Sequence, residues 1–329
     1  VGPAKTILSR LSGHPLKRSQ NHKHARRFAV PLQKLFLVSL ILYALTGVSA
    51  RAAQVKPETV AAFGHYIGLT EARMDEDIRL NQFLVMDRLP ELQRREAYDQ
   101  LQQGQVYIQE LHTQENHHSI HIPSGLIHHW VGVIFIPKAT LSETNAVLND
   151  YAHEPEIYKP DIRRAKIIEQ NGNESRICLQ FYNKSIVTVV LNDYSDVVVT
   201  QLGSTRMESA SRSTRIAEVE NPGGPDEQER ADGDDHGYMW RLYSYWRIEE
   251  KHGGVYIQNE SITLSRTVPV LLAWLINPLV KSIPHDVLVR TLTNTRNAVT
   301  KTLAPPEPEG ISEGGPASRQ PNQKSPIPH

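Results

Sequence analysis

Six of the chain's 15 histidines fall between His112 and His129: His112, His117, His118, His121, His128 and His129. Imidazole is a ligand for zinc, copper and nickel, so metal binding is the first chemistry to weigh. His117 and His121 share a face if their segment is extended. His128 and His129 are adjacent on a strand and point to opposite faces. No HExxH-type spacing or carboxylate pattern accompanies them. We favour polar loop and strand residues over a metal site. The single cysteine, Cys178, excludes an intrachain disulfide and a Cys-rich zinc site. It stands in the strand-like run RICLQF and reads as core rather than as a nucleophile.

A second constellation is Arg241 with Glu260. Arg241 lies in YMWRLYSYWRI (Tyr238–Ile248), too rich in aromatics for a good helix, and Glu260 lies in VYIQNESITLSR (Val255–Arg266). The polar turn EEKHGG between the runs makes them an antiparallel hairpin. Centring the turn on Lys251 and His252 sets Tyr243 opposite Glu260, Arg241 opposite Ile262 and Met239 opposite Leu264. One face then carries Arg241, Tyr243, Tyr245, Glu260, Ile262 and Leu264, and we assign it to the concave, buried side. The row Asn259, Ser261, Thr263, Ser265 is assigned to solvent, although Trp240 and Trp246 stand on that same face. A buried charge must be paired or hydrogen-bonded. The Arg241–Glu260 pair therefore reads as a structural clamp, or as a polar anchor for the head group of an apolar ligand. General acid–base work by Glu260 requires a raised pKa and a substrate within reach.

A third candidate is the apolar stretch Leu271–Val280 with Trp274. It reads as core, as a lid on a pocket, or as a patch that touches membrane transiently. Gly-x-Ser-x-Gly and Gly-rich phosphate loops are absent, so no catalytic residue, metal or cofactor is assigned.

The positioning elements follow from pattern. Residues 56–103 read as helices, from Pro57 to about Glu71 and from Leu89 to Leu101, with Gly104 closing the segment. Strands are expected at Gln105–Leu111, Ile127–Pro137, Asp161–Glu169, Ser175–Tyr182, Ser185–Leu191, Asp196–Leu202 and Arg206–Val219. A short helix at Ser142–Tyr151 takes Thr140 or Ser142 as its cap. Glu220–Gly237 reads as a long acidic surface loop. Val270–Val280 reads as one apolar helical segment. Val287, Leu288, Thr291, Leu292, Thr295 and Val299 recur at the spacing of a second helix, with Pro284 in its first turn.

The net charge is zero, but residues 1–52 hold nine Lys/Arg and no acid, leaving 27 basic against 36 acidic residues beyond them. An acidic body is a poor nucleic-acid binder. Leu35–Val48 is apolar and uncharged, is preceded by Lys17, Arg18, Lys23, Arg26, Arg27 and Lys34, and is followed by Ala50-Arg51-Ala52. That is the layout of a secretory signal peptide cleaved near Ala52, giving a periplasmic or secreted protein. An uncleaved N-terminal anchor is the alternative. The chain therefore divides into residues 1–52 as leader, 53–104 as a helical segment, 105–303 as the main domain and 304–329 as a tail. That tail, with seven of the 21 prolines and no aromatic, is expected to be disordered.

A curved antiparallel sheet with one apolar face and a last helix with one apolar stripe bury themselves against each other. The expected fold is α+β. This plan resembles the START-like, helix-grip (SRPBCC) superfamily. GLIHHWVGVIFIP (Gly125–Pro137), STRIAEVENP (Ser213–Pro222), Tyr238–Pro269 and LTNTR (Leu292–Arg296) resemble an exported bacterial subfamily without an assigned activity. The resemblance spans roughly Gln105–Thr302. It implies a sheet wrapped around the C-terminal helix and a hydrophobic pocket between them. The expected function is binding or carriage of a hydrophobic small molecule or lipid, with Arg241, Tyr243, Tyr245 or Glu260 fixing orientation and Trp274 near the entrance. A cyclase- or hydrolase-type enzyme and an envelope interaction protein with a filled core are the alternatives.

Overall fold

The computed structural model describes residues 55–184, 188–267 and 270–303, with the side chains of 270–282 excepted. The leader, the tail and the Trp274 side chain lie outside the described residues.

Helix α1 (Pro57–Arg79) opens with proline in its first turn and buries Thr59, Phe63, Tyr66, Ile67, Thr70, Met74 and Asp77 along one face. It runs well past Glu71, because that buried stripe continues to Asp77. A 3-10 turn (Val85–Arg88) leads to α2 (Glu91–Gln102), β1 (Tyr107–Glu110), the small pair β2 (Gln114–Glu115) and β3 (His118–Ser119), and β4 (Gly125–Pro137). Helices α3 (Leu141–Leu148) and α4 (Glu154–Ile157) follow. Thr140 is the cap of α3: its hydroxyl accepts from the Glu143 amide at 3.2 Å, and the Glu143 carboxylate accepts from the Thr140 amide at 2.9 Å. Next come β5 (Ile162–Asn171), β6 (Glu174–Lys184), β7 (Thr188–Gln201), β8 (Arg206–Glu220), β9 (Gln228–Glu229), β10 (Arg241–Lys251), β11 (Gly254–Arg266) and α5 (Val270–Leu303).

The sheet order is β1-β4-β11-β10-β8-β7-β6-β5, with β9 added to β8. Each neighbouring pair is antiparallel. Helix α5 lies on the concave side. Its Leu288, Leu292 and Val299 pack with Ile134, Ile136, Ile248 and Ile257. The helix comes close at Gly132, where an added Cβ would stand 2.5 Å from Leu292 Cδ1 and 2.6 Å from Ile108 Cδ1. The convex side is covered as well. There α1 packs Phe63, Tyr66, Ile67 and Met74 on Ile262 and Leu264, and α2 with the 3-10 turn packs on Val131, Val133, Phe135 and Tyr256.

Several elements differ from the sequence reading. Strand β7 is one strand where two were expected, because Asn192 and Asp193 continue the ladder, paired with Gln180 and Leu179. Helix α5 is continuous through Pro284, so the two expected helices are one. The acidic loop after Glu220 is tied back to the sheet, with Val219 paired to Glu229 and Arg215 bonded to Glu229 and Asp232. The hairpin turns at His252-Gly253, both with positive φ (55° and 73°), as a two-residue turn of the hairpin type requires. Tyr245 therefore faces Glu260, Tyr243 faces Ile262 and Arg241 faces Leu264. The expected pairings shift by two residues, which keeps the same side chains together on one face.

Candidate functional site: a cavity between sheet and final helix

The cavity follows from the size of the side chains on successive rungs of the concave face. One rung holds Met207, Ile248, Ile257 and Ile134, and these fill the space up to α5. The next rungs carry Ser209 beside Trp246 and Asn259, then Ser211, Ser244 and Ser261 in a row. Serine side chains are too short to reach the helix. A cavity of about 430 Å³ remains, walled by Ile177, Leu179, Phe181, Leu191, Val197 and Val199 on the sheet and by Ile283, Val287 and Leu288 on α5. That size suits a small apolar ligand. The interaction protein with a filled core does not match this open interior.

The face assignment made from sequence is reversed. Asn259, Ser261, Thr263 and Ser265 line the cavity. Arg241, Tyr243, Tyr245, Glu260, Ile262 and Leu264 stand on the opposite, convex face, where Tyr243, Tyr245, Ile262 and Leu264 pack with α1. Arg241 and Glu260 are not a pair. Arg241 donates to the Trp240 carbonyl at 2.7 Å. Glu260 accepts from Arg73 and, at 2.7 Å, from His129 Nε2. Tyr245 donates to Glu71 at 2.7 Å. The error came from a face that is buried for another reason: the N-terminal helices cover it.

His128 and His129 do point to opposite sides, His128 into the cavity lining and His129 into the convex network. The Tyr66 hydroxyl receives the Thr113 amide at 2.9 Å and donates to His129 Nδ1 at 2.9 Å. His129 Nε2–H then donates to Glu260, a chain that needs neutral imidazole. Burial lowers the His129 pKa, against the opposing pull of Glu260. Burial alone would raise Glu260, but the His129 hydrogen bond and the Arg73 charge hold it below its usual range. Among the described residues no group of three or more His, Cys, Asp or Glu is placed to hold a metal ion.

Three acids line the cavity that sequence reasoning passed over: Glu154, Asp161 and Asp193. Asp161 is neutralised by a two-pronged bond from Arg290 at 2.9 and 2.7 Å. Burial pushes Glu154 up to about 8, with Asp150 adding to the rise. Burial pushes Asp193 up to about 7, partly opposed by the Ser195 hydroxyl. The signal in the sequence was an acid on the inward row of a strand, Leu191, Asp193 and then Val197, which reads more readily as a break.

Raised carboxyl pKa values make stability depend on pH in a definite direction. The folded chain keeps protons that the unfolded chain releases above the ordinary values of 3.8 and 4.5. The contribution of these groups is full below those values and is lost as pH rises toward about 7 for Asp193 and about 8 for Glu154. Asp193→Asn and Glu154→Gln should each flatten the decline, by on the order of a few kcal/mol. Urea unfolding at a series of pH values checks this; an unchanged slope in both variants would contradict it.

No protein-family model and no curated protein matches the chain. Solved structures are similar at low identity. The aromatase/cyclase Zhui from a Streptomyces species aligns with a TM-score of 0.40 at 10% identity, covering 54% of this chain and 97% of its own. A STAR-related lipid transfer protein fragment from Xanthomonas axonopodis gives 0.38 at 14%, covering 58% and 98%. Human STARD10 gives 0.37 at 10%, covering 66% and 85%. With a curved antiparallel sheet gripping its C-terminal helix, the chain has an α+β helix-grip fold.

Proposed function

We propose that the chain binds and carries a hydrophobic small molecule, such as a lipid, in the cavity between the sheet and α5. The supporting observation is the cavity of about 430 Å³, left by short serine side chains and walled mostly by apolar ones. Affinity comes from apolar surface removed from water, about 25 cal/mol per Å² before the cost of association. Export with cleavage near Ala52 belongs to the same proposal, supported by the basic-then-apolar leader. Transient contact with a membrane would load and unload the ligand.

One observation favours a second reading, an acid–base enzyme of cyclase or hydrolase type. Glu154 and Asp193 line the cavity with pKa values raised to about 8 and about 7, near the range useful for proton transfer. The two readings separate in a titration with Nile red, an uncharged apolar dye. A carrier binds one equivalent saturably, and an added apolar ligand displaces the dye and is recovered unchanged. Absence of saturable binding would sink the carrier reading. Recovery of the ligand in altered form would replace it with the enzyme.

A further inference from the structure

The cavity's polar groups say which apolar molecules it can accept. Among the described lining residues there is no lysine or arginine, while three are acids. Asp161 is matched by Arg290, so the carboxyl groups left without a cation are Glu154 and Asp193. Each retains an oxygen with no hydrogen-bond partner among the described residues, Glu154 Oε2 and Asp193 Oδ1. Both side chains are almost fully buried, 8% and 2% exposed. The indole Nε1 of Trp130, also in the lining, has no partner among the described residues either. The two acids stand toward the same side of the cavity. Leu179 is the register partner of Asp193 and packs against Tyr151, Ile177 and Val197, and Tyr151 lies in the turn that leads to Glu154.

Buried polar atoms without partners are costly and are seldom left so. An unpartnered acceptor oxygen calls for a donor: a hydroxyl brings one O–H and an ammonium three N–H, while a carboxylate or an ester brings none. A carboxylate or phosphate would enter beside two acids, with no described cation in the lining to meet it, and would lose its hydration. The arginines of the buried network, Arg73 and Arg247, stand on the other side of the sheet.

We propose that the cavity selects apolar molecules whose polar end donates hydrogen bonds and carries no negative charge, a hydroxyl or an amine, and rejects anionic lipids. This rests on the binding function proposed above. The test compares ligands that share one tail: hexadecanol, hexadecylamine, hexadecanoate and methyl hexadecanoate, each displacing Nile red at about pH 8, where hexadecanoate is ionised. Hexadecanol or hexadecylamine should bind at least about tenfold more tightly than hexadecanoate and than the ester, which has no donor. Which of the two wins tells a neutral head from a cationic one. The double variant Glu154→Gln with Asp193→Asn should lose the preference for the amine and gain about tenfold for hexadecanoate. The ligand comparison on the unaltered chain needs no variant and stands whether or not the double variant folds. Equal or tighter binding of hexadecanoate or the ester overturns the selectivity while leaving the carrier reading intact. Failure of all four ligands and of the dye overturns both.

Discussion

Ser211→Trp should abolish binding of apolar ligands while leaving the chain folded. Ser211 lies mid-sheet on the concave face, between Val197 of β7 and Ser244 of β10, where the open space begins. An indole there fills the volume a ligand needs, and Nile red affinity should fall by about 100-fold or more. The stability of the variant tests the same point from the other side. Added bulk in a packed core costs about 1–3 kcal/mol. In an open cavity it should cost little, so a large fall in melting temperature would contradict the cavity itself. The contrasting variant is Tyr243→Leu. Its ring sits edge-on to Phe63 of α1 at 5.4 Å, on the convex face. It should lose some stability and keep its dye affinity within about twofold. A loss of binding there with none at Ser211 would restore the face assignment read from sequence.

Glu260→Ala should be among the most destabilising single substitutions in the chain. The Glu260 side chain is 1% exposed and holds both Arg73 of α1 and His129 of β4. Arg73 also bonds Asp77 at 3.3 Å, and the buried Arg247 donates to the Met74 and Phe83 carbonyls at 2.7 and 3.1 Å. Removing one member of a buried ion network leaves the others unpaired and costs about 3–5 kcal/mol. Glu260→Gln keeps an acceptor for His129 Nε2–H and should fall between the wild type and the alanine variant. The pH signature separates this network from the cavity acids. His129 is held neutral and Glu260 ionised, both with lowered pKa values. Their contribution is present above the ordinary values of 6.5 and 4.5 and is lost as pH falls below them, opposite in sign to Asp193 and Glu154. Equilibrium unfolding in urea checks the magnitude. A Glu260→Ala variant within about 1 kcal/mol of wild type would show that the network contributes little.

The fold was legible where one physical signal dominated. The hairpin stood out because β10 and β11 are rich in aromatic and β-branched residues, and the final helix because Leu288, Leu292, Thr295 and Val299 recur on one face and are all buried. The cap at Thr140 was legible from Glu143 three residues on. The site was not legible, for three reasons that can be named. First, β10 and β11 are covered on both sides, so alternation could not say which face meets α5. Second, the cavity exists because its lining is small and polar at Ser209, Ser211, Ser244 and Ser261, and a row of serine, threonine and asparagine looks like a solvent face. Third, Asp193 stands on an inward row with Leu191 and Val197, where an acid inside a strand pattern reads as its end, and Glu154 lies in the four-residue helix α4, too short to show a buried face. The turn slipped for a local reason as well. Centring it on Lys251 and His252 asks Lys251 to take positive φ, whereas Gly253 adopts that conformation without strain.

The central claim is that an apolar molecule occupies the concave cavity. Native mass spectrometry of the protein from Ala53 to His329, purified from an exporting host and followed by solvent extraction, tests it most directly. The account predicts a second mass, one ligand per chain, that extracts as an apolar compound and is missing from Ser211→Trp. A bare mass, with no uptake from a panel of neutral, cationic and anionic lipids, would contradict it.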